Sequence, residues 1–103
     1  MKKYQVTIHF EWSEEFALLI PEHRTYINIL INKTIIDQYV VSMESQRAWI
    51  TLTAKTKKEV EKILKKSPLF PYLTFEIDEL FVMDGQLYRL PALQLNREKI
   101  PAR

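Results

Sequence analysis

Lys3-Tyr4-Gln5-Val6-Thr7-Ile8-His9-Phe10 alternates without a break. Tyr4, Val6, Ile8 and Phe10 fall on one side, and Lys3, Gln5, Thr7 and His9 on the other. A period of two predicts a strand with one buried face. The pattern returns over Arg47 to Ala54, where Ala48, Ile50, Leu52 and Ala54 oppose Arg47, Trp49, Thr51 and Thr53. It returns again over Thr74 to Asp78, with Phe75 and Ile77 opposed to Thr74, Glu76 and Asp78. A further strand is predicted where β-branched residues gather, at Ile35, Ile36, Val40 and Val41, ending near Met43. Glu44-Ser45-Gln46 then makes a hairpin connection.

Two helical patterns separate these strands. Ser13, followed by Glu14 and Glu15, has the composition of a helix N-cap with favourable charge in the first turn. Pro21 predicts a break: a short turn or helix over Glu14 to Ile20, then a main helix from Pro21 with Ile27, Leu30, Ile31 and Tyr26 on its apolar stripe. Thr56 and Glu59 form a capping box ahead of a helix carrying Val60, Ile63 and Leu64, which stops before Pro68. The order β-α-β-β-α-β is the ferredoxin-like α+β arrangement, a four-stranded antiparallel sheet over residues 1–83. Asp84-Gly85 is a hairpin signal, and Gln86 to Leu90 is expected to add a fifth strand. The extension 84–103 carries Leu87, Tyr88, Leu90 and Leu93 and is expected to pack on a neighbouring subunit.

Two helices can cover only one face of such a sheet. Val6, Ile8, Ile50, Leu52, Phe75 and Ile77 belong beneath them. The other face would carry Gln5, Thr7, His9, Arg47, Trp49, Thr51, Thr74 and Glu76. Trp49 is costly to leave in water, so a homodimer or larger homo-oligomer is expected to cover that face.

Composition narrows the chemistry. The 103 residues suit one domain with one core, and the net charge is +2. The absence of cysteine removes thiolate catalysis, iron–sulfur clusters and Cys-type zinc sites. One glycine, Gly85, cannot build a phosphate-cradling loop, and two histidines cannot make a three-histidine zinc site. No cofactor and no metal are expected, which leaves acid/base work by His, Glu, Asp, Lys or Tyr. No apolar stretch approaches the ~20 residues of a membrane span, and no signal segment precedes Lys3, so a cytoplasmic protein is the default. Lys55, Lys57, Lys58, Lys62, Lys65 and Lys66 cluster around the second helix, interleaved with Glu59 and Glu61. That is read as a solvated helix face, and no nucleic-acid partner is expected.

Ser67-Pro68-Leu69-Phe70-Pro71-Tyr72-Leu73-Thr74-Phe75-Glu76-Ile77, entering the last strand, resembles the muconolactone isomerase family, and the likeness extends over roughly residues 3–80. It implies a dimeric α+β barrel, with two sheets facing each other, and cofactor-free movement of a proton within a small unsaturated lactone or organic acid. Where that family carries a Trp-Arg pair in its second strand, this chain has Val40-Val41. A second segment, Pro21-Glu22-His23-Arg24-Thr25-Tyr26-Ile27, is similar to the His-x-x-Tyr segment of YCII-related domains. In those domains the histidine pairs with an aspartate, and the comparable position here is Ser67.

His9 and Glu76 are the candidate catalytic acid and base, since both lie on the open face of neighbouring strands. His9 would serve equally as a dimer hydrogen-bonding group, and Glu76 as a charge blunting an edge. His23 and Tyr26, three residues apart on a helix, are candidates to close one end of a substrate pocket. Arg47 and Trp49 are candidates for holding the carboxylate and flat body of a small acid, with interface packing the alternative for Trp49. The rival to an enzyme is a non-catalytic oligomeric ligand-binding or assembly module.

Overall fold

The computed structural model describes residues 1–84. Strand β1 (Lys2–Phe10) leads to helix α1 (Glu14–Asn32), strands β2 (Ile36–Ser42) and β3 (Arg47–Ala54), helix α2 (Lys57–Lys65), a 3-10 turn (Phe70–Tyr72) and strand β4 (Leu73–Glu79). The sheet is antiparallel, in the order β2-β3-β1-β4, which is the ferredoxin-like topology. The expected fifth strand and C-terminal extension fall beyond Asp84, outside the described residues. No helix among the described residues is long and apolar enough to cross a membrane.

Strand parity is as the alternation requires. Tyr4, Val6 and Ile8 of β1 are buried beneath the helices with Ala48, Ile50, Leu52 and Ala54 of β3. Phe75 and Ile77 pack against this core from β4. On β2 the register shifts between Ile36 and Gln38, an irregularity at the start of one of the two edge strands.

Helix α1 departs from expectation at Pro21, which sits inside one continuous 19-residue helix. A proline there removes the N–H that would bond the Ala17 carbonyl and crowds that carbonyl with its ring, and the helix holds because it is anchored on both sides of it. Upstream, Ser13 caps it by accepting from the Phe16 N–H at 3.0 Å. Downstream, Ile27 and Leu30 are buried in the core. The buried stripe is Phe16, His23, Ile27 and Leu30, with Ile20 half-buried between them. Ile31, expected on the stripe, is instead 40% exposed, because the 3.6-residue period runs through positions 16, 20, 23, 27 and 30.

Helix α2 carries the expected capping box. Thr56 Oγ1 accepts from the Glu59 N–H at 3.1 Å, and Glu59 Oε1 reaches back to the Lys55 N–H at 2.6 Å. The six lysines around it are exposed, while Val60 and Leu64 face the core.

Among the described residues, the left-handed backbone positions fall to Thr34 (φ 61°) and Gln46 (φ 55°). Thr34 follows the α1 terminus, where the Ile35 N–H bonds the Leu30 carbonyl across it at 2.9 Å. Gln46 is held by two bonds from the end of β1. Its carbonyl accepts from the Phe10 N–H at 3.1 Å, and its side-chain oxygen accepts from the Trp12 N–H at 2.7 Å.

Thr34→Gly is expected to raise the free energy of unfolding by about 1 kcal/mol, because a β-branched residue is disfavoured at positive φ. Leu52→Ala, at a side chain only 1% exposed, is expected to cost about 2–5 kcal/mol. Urea denaturation of the three proteins checks both signs.

Candidate functional site

A cavity of about 150 Å³ lies between α1 and the sheet. Ile8 and Ala48 form its sheet wall, with Tyr39 and Val41 from β2 alongside. Phe16 and Ile20 come from α1, and Leu69 and Leu73 close the far side. Phe10 stacks on Phe16 with ring centroids 5.0 Å apart and planes 9° from parallel, and Trp12 tilts against Phe16 at 5.9 Å. The Gln46 bonds to Phe10 and Trp12 therefore fix the aromatic rim as well as the turn.

The polar groups of the cavity come from one place. His23, on the buried stripe of α1, is 6% exposed. Its Nδ1 lies 2.7 Å from Ser67 Oγ, and its Nε2 lies 2.9 Å from the Tyr39 hydroxyl. Arg24, the next residue along, places its guanidinium 5.5 Å from the centre of the Tyr39 ring. Burial, and secondarily the Arg24 charge, lowers the His23 pKa from 6.5 to about 4, so the ring is neutral at pH 7. Burial raises the Tyr39 phenol above its ordinary range, with Arg24 pulling the other way. Among the described residues, no Asp or Glu lines the cavity. It is thus an apolar chamber with a neutral His–Tyr pair in its wall and one cation beside them.

The candidate residues divide across the sheet. His23 lines the cavity. Tyr26 does not: its hydroxyl donates to the Ile63 carbonyl at 2.6 Å, tying α1 to α2, and burial raises its pKa. His9, Glu76, Arg47 and Trp49 lie on the opposite, helix-free face. There His9 stands opposite Thr74 and Arg47, and Glu76 opposite Thr7, so His9 and Glu76 are diagonal neighbours. Such pairs sit roughly 7–8 Å apart, and no hydrogen bond joins these two. His9, Glu76 and Arg47 are exposed, whereas Trp49 is half-buried between Thr7 and Val40. Sequence reasoning missed Tyr39 and Arg24, and it reached Ser67 only through the resemblance, as the position opposite His23 that lacks the aspartate. His23 was the available signal, since it occupies a core position of the α1 stripe where an apolar residue would otherwise sit.

Ser67, the position at which the resemblance to YCII-related domains set an aspartate, meets His23 through a hydroxyl, so a carboxylate–histidine dyad is absent there. Among the described residues, no cluster of three or more His, Cys, Asp or Glu side chains could hold a metal ion.

No protein-family description matches the chain, and no curated protein sequence does. Among solved structures, muconolactone isomerase matches with a TM-score of 0.65, over 84% of this chain and 96% of that one, at 14% sequence identity. The chain has a muconolactone isomerase-like fold. At that identity the likeness speaks for the fold alone. The cavity, its aromatic rim and the His23 network are features of this sequence.

His23 also sets a pH dependence. Its folded pKa lies below the unfolded value, so the unfolded chain binds more protons between about pH 4 and 6.5. Stability is therefore expected to be full above pH 6.5 and to fall as pH drops towards 4, by up to about 3 kcal/mol from this residue. Denaturant midpoints across that window should show the slope in the wild type, and His23→Gln should flatten it.

Proposed function

We propose that the chain binds a small, single-ring organic acid or lactone in the cavity beneath α1. The carrying observation is the cavity itself: an apolar chamber of about 150 Å³ with an aromatic rim, beside one cation and no anion among the described residues. Apolar protein cavities of about 150 Å³ accept benzene, which sets the size of the ligand body at one ring. The Arg24 guanidinium is placed to pair with a carboxylate, a charge-assisted contact of roughly 1.5–3 kcal/mol.

The muconolactone isomerase-like fold supports an extension of this reading, cofactor-free proton transfer within the bound acid or lactone. Two sets of groups could serve it. One is the His23–Tyr39 pair in the cavity, and the other is His9 with Glu76 on the open face. The second set requires a partner to enclose it. Pairing of two open faces would do so, and Trp49 with the 42%-exposed Val40 beside it favours such a contact. Those same two residues favour the rival reading, in which the open face serves only assembly and the protein binds its ligand without turning it over.

Muconolactone, a single-ring lactone with a carboxylate, is the test compound. Calorimetric titration is expected to show binding, and Arg24→Gln is expected to weaken it by about ten- to a hundredfold. No binding by the wild type would end the proposal. Consumption of the lactone, followed with His9→Ala, Glu76→Gln and His23→Gln variants, separates an enzyme from a binding module: binding without turnover assigns the module. Light scattering reads the open face directly, with a dimer expected in the wild type and loss of that dimer expected for Trp49→Lys.

A further inference from the structure

We infer that Tyr39 presents its hydroxyl hydrogen to the cavity, held in that role by Ser67 and His23 as positioning residues, so that the ligand must offer a hydrogen-bond acceptor there. The inference rests on the cavity reading above and adds a rule of specificity to it. A carbonyl or ring oxygen is accepted at this end, and a purely hydrocarbon edge is disfavoured.

The argument starts at Ser67, which is 7% exposed. Its Oγ already accepts from the Leu69 N–H at 3.1 Å. A buried hydroxyl hydrogen needs an acceptor, and the other bond Ser67 Oγ makes among the described residues is to His23 Nδ1 at 2.7 Å. Ser67 therefore donates and Nδ1 accepts. A neutral imidazole carries one N–H, so the hydrogen resides on Nε2. Nε2 lies 2.9 Å from the Tyr39 hydroxyl oxygen, and His23 donates to it.

Tyr39 is thereby left with its oxygen occupied and its hydrogen free. The adjacent Arg24 offers only donors, so it cannot take that hydrogen. Among the described residues, no carboxylate lines the cavity to take it either. The remaining direction is into the chamber, towards a ligand oxygen. The reverse assignment, with the proton on Nδ1, puts two donors on Ser67 Oγ and buries the serine hydrogen without a partner. Negative charge gathering on a ligand oxygen as loss of an adjacent C–H proton forms an enolate would meet this hydrogen bond, with the His23 N–H and the Arg24 cation behind it.

Two measurements on the full chain test this. In a 15N-labelled sample at pH 7, long-range imidazole correlations are expected to show His23 as the Nε2–H tautomer, and Ser67→Ala is expected to release that preference. An Nδ1–H ring in the wild type would overturn the inference, with or without a ligand. The second measurement compares cyclohexanone with methylenecyclohexane, which has the same shape but no acceptor. The wild type is expected to bind the ketone about tenfold more tightly. Tyr39→Phe, which keeps the packed ring, is expected to erase that preference by weakening the ketone alone. Equal binding of the two compounds by the wild type refutes the role of Tyr39 and leaves the cavity reading standing. Binding of neither refutes the cavity reading, and this inference with it.

Discussion

Strand β1 is hydrogen-bonded on both sides, to β3 over eight register positions and to β4 over seven, and its own side chains are apolar on one face only. That combination governs the rest of the molecule. Because Tyr4, Val6 and Ile8 all point one way, the neighbouring strands must set their apolar residues on the same side. Both helices are then drawn to that side, since burial of each large side chain contributes roughly 1.5–3 kcal/mol. The cavity is a consequence of the same geometry. Near the Phe10 end of β1, the small Ala48 of β3 sits beside Ile8, and α1 is still in its first turns. The layers are spaced by aromatic rings at the rim and are not filled by side chains between them.

The fold was legible because its determinants are local. Alternation located three strands, the β-branched run located the fourth, and two caps marked both helix starts at Ser13 and Thr56. The error at Pro21 had a specific cost. Dividing α1 there cuts the sequence 16, 20, 23, 27, 30 in two, and without its first half the stripe keeps Ile27 and Leu30 but runs on to the exposed Ile31. Read as one helix, the stripe includes His23, and a histidine among core positions would have pointed to the cavity. The partners of His23 were not legible in the same way. Ser67 is 44 residues away and Tyr39 is 16, and neither separation carries a local period. Only the topology, which lays the segment after α2 and the middle of β2 against the same turn of α1, brings them together.

The Thr34 and Gln46 conformations show a related limit. In a chain with one glycine, left-handed turns fall to residues that do not announce them. Gln46 is retained there by what it holds, since its carbonyl and side-chain oxygens both fix the stretch from Phe10 to Trp12. A glycine would supply the backbone geometry without the side-chain bond, so the turn and the cavity rim are joined through one residue.

Val40 and Val41, both apolar, bear on both candidate surfaces at once. In β2 they point to opposite sides of the sheet. Val40 stands beside Trp49 on the open face, and Val41 lines the cavity beside Ala48. The aromatic residue on the open face is therefore supplied by β3, and the cation beside the cavity by α1, as Arg24. A guanidinium arriving from the helix sits over the Tyr39 ring instead of projecting from the sheet wall. It also lies one residue from His23 and keeps that imidazole neutral by repulsion added to burial. A cation rooted at position 41 would leave the helix side of the chamber without it. Carried on the helix, the charge stands against the Tyr39 ring and the His23 imidazole together, so one residue bears on both groups of the pair.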